Sequence, residues 1–162
     1  MKPAFPSDSR ILFVCHGNIC RSPMAEMILR DMAQRTGAPL KIDSAATSAE
    51  EIGNGIYPPA RAELNRRGIP CIAHQARQVS RRDYSQYDLL LCMDDRNVRN
   101  LLRLLGDDPD NKVHKLMEYA GKSADVADPW YTDDYARAYE DIALGCAGLM
   151  AALGYPEFLD QQ

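Results

Sequence analysis

The sequence predicts an α/β sandwich built on a parallel sheet, and three observations carry that expectation. Two short runs, Arg10-Ile11-Leu12-Phe13-Val14 and Asp88-Leu89-Leu90-Leu91-Cys92-Met93, are almost wholly apolar with no polar alternation. Such runs suit strands covered on both faces, as in a parallel sheet. Stretches with helical spacing of apolar residues separate the strand-like runs, as the crossovers of such a sheet require. No internal repeat, low-complexity segment or linker divides the chain.

The elements follow in order. The strand at 10–14 leads into the polar, glycine-containing stretch His16-Gly17-Asn18. Ser22-Pro23 then opens a helix: serine suits the cap, proline the first turn, and Glu26 lies near the start. Ala25, Ile28, Leu29 and Met32 recur at helical spacing, and Gly37 ends the run. Further strands are expected at 41–45, at 88–93 and, more weakly, around Val113. Helices are expected near 59–67, 96–105 and 134–153. The last carries one apolar stripe, Tyr139, Ile142, Ala143, Cys146, Leu149, Met150 and Leu153, which reads as core packing. Residues 1–9, polar with Pro3 and Pro6, read as a flexible N-terminal arm, and 10–162 as a single domain.

With 162 residues and 46% hydrophobic composition the chain can bury one sizeable core. A net charge of -4 gives no reason to expect a nucleic-acid or membrane surface, so any anion site must be local. No apolar run reaches transmembrane length, and the N-terminal stretch lacks the apolar core of a signal peptide. The five cysteines are an odd number, which favours free thiols in a reducing, cytoplasmic setting.

The stretch Cys15-His16-Gly17-Asn18-Ile19-Cys20-Arg21-Ser22 is the chemical focus. A cysteine followed six positions later by arginine is weak by itself: five cysteines and 14 arginines in 162 residues give roughly 0.4 such pairs by chance. Position strengthens it, because the loop joins a buried strand to a helix start. There, backbone N–H groups and the helix N-terminus form an anion site. Gly17 is expected to permit the backbone angles that turn successive N–H groups inward. Arg21 offers planar paired donors to phosphate oxygens. The same positive surroundings favour a Cys15 thiolate, able to attack phosphorus while its neighbours stabilise the equatorial oxygens. The endings of a nucleotide P-loop and of a dinucleotide fingerprint are missing. So is a second cysteine or histidine pair with zinc spacing, and no metal is expected.

Thiolate attack leaves an oxyanion that needs a proton. Two Asp-Pro pairs stand out. Asp108-Pro109 lies in the polar turn Asp107 to Asn111 and reads as a plain loop. Asp128-Pro129 precedes Trp130-Tyr131, aromatics that can wall a pocket, stack on an aryl phosphate and shield the Asp128 carboxyl from water. Asp128 is therefore the candidate acid.

Taken together, Val14 to Pro23 and Asp128-Pro129-Trp130-Tyr131 resemble the low-molecular-weight protein tyrosine phosphatases. The likeness runs from about Arg10 to Leu153, with Asp43 to Ser48, His74 to Gln78 and Asp88 to Asp94 as further matching segments. It implies a three-layer, flavodoxin-like fold with a four-stranded parallel sheet in the order 2-1-3-4. It implies that Cys15 forms a phosphocysteine and that Arg21 binds phosphate. Asp128 would protonate the leaving tyrosine and then activate water, and Ser22 would hydrogen-bond the thiolate. Asn18, Ser44 and His74 match residues that brace the loop, and Trp130 and Tyr131 the aromatic wall. Cys20 matches the cysteine that can trap oxidised Cys15 as a disulfide. The implied substrates are tyrosine-phosphorylated proteins and small aryl phosphates, with phosphate or other oxyanions as inhibitors. No cofactor is implied, and a monomer is the default.

Two positions depart from the family pattern. His16 stands where relatives often carry an apolar residue, and Glu51 where several carry an aromatic one, on one side of the pocket. Three other readings compete. Arginine-phosphate phosphatases of this scaffold carry threonine in place of Ile19. Arsenate reductases relay a disulfide through a close cysteine pair, whereas Cys71 and Cys92 are far apart in sequence. A non-catalytic phosphate-binding module needs no nucleophile and acid together.

Overall fold

The computed structural model describes Pro6 and residues 8–161, with side chains as far as Leu159. Most of the expected arm, residues 1–5 and 7, lies outside the described residues. Ser9 is buried, and its carbonyl accepts the Lys41 N–H at 3.3 Å, continuing the pairing of the first two strands by one residue.

Four strands make one parallel sheet: β1 (Arg10–Cys15), β2 (Lys41–Ala46), β3 (Leu89–Cys92) and β4 (Val113–Lys115), in the order β2-β1-β3-β4. This is the expected order. β1 is central because both faces of its run are apolar. Ile11, Phe13 and Cys15 point into one core layer, and Leu12 and Val14 into the other, as strand alternation requires. Helices α1 (Arg21–Thr36), α2 (Pro58–Arg66) and α6 (Tyr135–Ala152) cover the first layer. Helices α3 (Arg81–Gln86) and α4 (Asp95–Leu105) cover the second, where Tyr87, Leu90, Cys92, Leu101 and Leu105 pack on Leu12 and Val14. The apolar stripe of α6 is core: Ile142, Cys146, Leu149, Met150 and Leu153 are fully buried.

Three local expectations need correction. Ser22 does not cap α1. The helix begins at Arg21 with Cys20 at the cap position and no side-chain cap bond, so Ser22 sits inside the first turn and its hydroxyl is spent elsewhere. Helix α3 is absent from the sequence reading because six mostly exposed residues carry no apolar period. Its signal is local: the Asp83 carboxylate accepts the Ser80 N–H at 2.8 Å, three residues back. Asp108 is more than a plain loop residue. Its carboxylate accepts the Tyr84 hydroxyl at 2.5 Å, the Lys112 N–H at 2.8 Å and the Val113 N–H at 3.1 Å, which sets the entry to β4.

One close approach positions the segment leading to Asp128. A 3-10 turn, Leu116–Ala120, lies against α6 where the helix carries glycine. A Cβ placed on Gly148 would fall 1.8 Å from the Tyr119 carbonyl oxygen, so only glycine admits that contact.

Candidate active site

Strand β1 delivers Cys15 to the carboxyl edge of the sheet, between β2 and β3, where open α/β sheets hold ligands. Residues 16–20 turn the chain into α1, whose first N–H groups have no helical acceptor. Asn18 takes the left-handed backbone conformation here, with φ of 60°. Gly17 is not among the residues of positive φ, so the special backbone position of the loop belongs to Asn18, contrary to expectation. Asparagine visits that region readily, and its amide then braces the turn.

The bracing has a direction. Asn18 Oδ1 accepts the Arg77 N–H at 3.2 Å, which orients the amide. Asn18 Nδ2 therefore donates, to Ser22 Oγ at 2.8 Å and to Ser44 Oγ at 2.9 Å. The Ser44 hydroxyl in turn donates to Glu26 Oε1 at 2.6 Å. Ser22 Oγ also lies 3.0 Å from Cys15 Sγ, and a sulfur without its proton can only accept from that hydroxyl. The Asn18 N–H adds a second donor to the sulfur at 3.3 Å. His74 Nε2 donates to the Asn18 carbonyl at 2.7 Å, with Nδ1 facing Glu26 at 4.0 Å.

The other cysteines differ. Burial, reinforced by Cys15 and Asp128, pushes the Cys20 thiol up to about 12. Burial likewise raises Cys71, Cys92 and Cys146. All five are free thiols. Cys15 is the one of the five with the Asn18 N–H and the Ser22 hydroxyl both within hydrogen-bond distance of its sulfur.

Arg21 is 2% exposed and runs beneath the loop. Nη1 donates to Asp94 Oδ2 and to the Val126 carbonyl, each at 2.8 Å, and Nη2 donates to Asp128 Oδ2 at 3.4 Å. Burial alone lowers an arginine, but Cys15, Asp128 and Asp94 outweigh it and hold Arg21 above its ordinary value. Asp94 uses its second oxygen to cap α4, accepting the Asn97 N–H at 2.7 Å. One carboxylate thus ties the helix start to the guanidinium.

Asp128 caps the single turn α5 (Pro129–Thr132), its Oδ1 accepting the Trp130 N–H at 3.1 Å. Trp130 stacks obliquely on Tyr57, ring centres 5.1 Å apart, yet remains 54% exposed, and Tyr131 is 78% exposed. The aromatic pair therefore walls the cleft without closing over the Asp128 carboxylate, whose side chain is 26% exposed.

Cys15, Arg21, Asp128, Glu51, Trp130 and Tyr131 all border one cleft of about 250 Å³, with His16, Gly17, Ile19 and Cys20 on its floor and rim. Ser22, Asn18, Ser44 and His74 lie behind it. At the rim His16 Nε2 stands 3.1 Å from Glu50 Oε2. Among the described residues no group of three or more His, Cys, Asp or Glu side chains is gathered as a metal would need.

Four contributors escape the sequence reading. Asp94 carries a signal, an aspartate three residues before Asn97 at a helix start. Glu26 carries another, a lone carboxylate between Met24-Ala25 and Met27-Ile28-Leu29. Arg77 enters through its backbone N–H and Tyr57 through a ring contact across the fold, and neither leaves a local signal.

A family model described as low molecular weight phosphotyrosine protein phosphatase matches residues 10–157. The low molecular weight protein-tyrosine-phosphatase YfkJ of Bacillus subtilis is 39% identical over 147 residues, covering 88% of this chain and 94% of its own. The human low molecular weight phosphotyrosine protein phosphatase is 36% identical over 147 residues, covering 86% and 92%. The crystal structure of YfkJ superposes with a TM-score of 0.86 at 38% identity, covering 90% of this chain and 94% of that one. A protein tyrosine phosphatase from Entamoeba histolytica, solved with Hepes in the active site, gives 0.83 at 27% identity, covering 92% and 99%. With its loop, its parallel sheet and these relatives in agreement, the chain belongs to the low molecular weight phosphotyrosine protein phosphatase family.

Proposed function

We propose that the protein hydrolyses phosphotyrosine in proteins, and small aryl phosphates, through a phosphocysteine on Cys15 and without a metal. The observation that carries this is Cys15 at the floor of a cleft that also holds Arg21 and Asp128, with the Asn18-held Ser22 hydroxyl 3.0 Å from the sulfur.

In the first step Cys15 Sγ attacks phosphorus and the bond from phosphorus to the tyrosyl oxygen breaks. Asp128, carrying a proton, gives it to that oxygen. In the second step Asp128 takes a proton from water, the water oxygen attacks phosphorus and the S–P bond breaks. Ser22 steadies the sulfur as negative charge returns to it. Arg21 spends Nη1 on Asp94 and Val126 and one Nη2 proton on Asp128, which leaves Nε and the second Nη2 proton for phosphate oxygens. Trp130 and Tyr131 offer faces for an aryl ring, and Glu51 lines the same cleft. Gly17, Ile19, Cys20 and His16 shape the loop, and Ser44 and His74 brace it.

The protein acts as a cytoplasmic monomer in this reading, with residues 10–162 as its one domain. Among the described residues no helix is long and apolar enough to cross a membrane. Ile19 favours an aryl ester over an arginine phosphate, because it adds apolar surface at the cleft and no hydroxyl. The test is hydrolysis of phosphotyrosine, phosphoserine and phosphoarginine peptides side by side, with and without chelator. Turnover confined to the tyrosine peptide and unaffected by chelator is expected. Preference for phosphoarginine, or loss of activity with chelator, would overturn the reading.

A further inference from the structure

A second cavity, of about 520 Å³, opens beside the catalytic cleft and shares His16, Arg21, Asp128 and Tyr131 with it as a common wall. Its far side is the start of α4, with Arg96 and Arg99 three residues apart on one face. Both arginines are exposed, and neither has a carboxylate within ion-pair distance among the described residues.

The four carboxylates of this cavity share two cations. Asp94 and Asp128 face Arg21 at 2.8 and 3.4 Å. Asp95 and Asp125 share Lys115 at 3.1 and 2.9 Å. Arg96 and Arg99 are the cations of this wall that hold no ion pair among the described residues, and with them its charges balance. The catalytic cleft also carries an acidic stretch: Glu50 stands 3.1 Å from His16, and Glu51 accepts an Asn54 amide proton at 2.6 Å, with no arginine or lysine paired to either among the described residues. Glu50 and Glu51 border only the first cavity, and Arg96 and Arg99 only the second. A peptide whose phosphotyrosine fills the cleft therefore has Glu50 and Glu51 at the cleft itself and the unpaired Arg96 and Arg99 across the shared wall.

We propose that Arg96 and Arg99 form a subsite for a second anionic group on the substrate, a carboxylate or a phosphate close in sequence to the phosphotyrosine. This rests on the phosphatase reading above. The guanidinium pair offers planar donors suited to either group. Because the contact is exposed, its effect is modest and salt-sensitive, about three- to tenfold in kcat/KM at low ionic strength.

The experiment compares phosphotyrosine peptides carrying alanine, glutamate, phosphoserine or lysine on each side of the phosphotyrosine in turn. The reading is kcat/KM relative to the alanine peptide, for the wild-type chain, for Arg96→Ala/Arg99→Ala and for Arg96→Glu/Arg99→Glu. The expected result has three parts. An anionic flank on one side raises kcat/KM in the wild type, that ratio falls toward one in the alanine variant, and the glutamate variant favours lysine instead. A gain for phosphoserine alone assigns the site to phosphate, and a gain for both assigns it to anions generally. Equal rates for all flanks, with the peptides still turned over, would overturn the subsite and leave the phosphatase reading intact. A flank preference that survives in both variants would overturn the assignment to these arginines. No turnover of any peptide or of para-nitrophenyl phosphate would overturn both readings.

Discussion

Asn18 Nδ2 stands 2.8 Å from Ser22 Oγ, and because Arg77 orients the Asn18 amide, it is the amide that donates to the hydroxyl. The same hydroxyl lies 3.0 Å from Cys15 Sγ and is placed to donate to the sulfur as a thiolate. Removing it by Ser22→Ala takes away a hydrogen bond to a charged sulfur, worth about 1.5–3 kcal/mol. We expect kcat on para-nitrophenyl phosphate to fall about 10- to 100-fold, chiefly through slower breakdown of the phosphocysteine. Stopped-flow release of nitrophenol should then show a burst followed by a slow phase, whereas an unchanged kcat would remove Ser22 from the mechanism.

Asp94 serves two partners, and two substitutions separate them. Asp94→Asn keeps an acceptor for the Asn97 N–H but removes the charge facing Arg21. Asp94→Ala removes both. Both variants are expected to bind inorganic phosphate more weakly, read as a raised inhibition constant. Only the alanine variant should also lose about 1 kcal/mol of stability from the uncapped helix. Equal stability in the two would mean that the cap contributes nothing.

Gly148→Ala places a methyl group against the Tyr119 carbonyl. The 3-10 turn or α6 must move, at a cost of about 3 kcal/mol or more. Thermal unfolding should show a lower Tm, and since this turn leads toward Asp128, kcat should fall as well. An unaltered Tm would show that the two elements are less tightly apposed than described.

Alkaline conditions should weaken the fold. In the unfolded chain thiols ionise near 9.0 and phenols near 10.0, whereas burial pushes Cys20 and Tyr119 up to about 12. Above pH 9 the unfolded state therefore holds fewer protons than the native one, and stability declines as pH rises. Urea midpoints are expected to be flat below about pH 8.5 and to fall steadily from there to pH 12. A Cys20→Ser variant should fall less.

Much of this was legible in the chain before folding. β1 reads as a both-faces-covered strand because every residue from Ile11 to Val14 is apolar, and the loop after it is chemically distinctive. Asp128 stands out through its proline and two aromatics. The parts that stayed hidden depend on contacts between distant segments. Asn18, not Gly17, takes the left-handed turn because Ser44, His74 and Arg77 converge on it from other elements. Ser22 is a good cap by type, but tertiary contact turned it to the sulfur. Arg96 and Arg99 look like ordinary surface charges until α4 is seen to border the cleft.

The account stands or falls on the covalent intermediate at Cys15. Wild-type protein and an Asp128→Ala variant, mixed with para-nitrophenyl phosphate and quenched in acid within the first turnover, can be digested and mapped by mass spectrometry. The account predicts one phosphoryl group on the peptide containing Cys15, lost when Cys15 is replaced by serine together with turnover. Turnover without any phosphorylated peptide, or with the phosphoryl group on another residue, would contradict it.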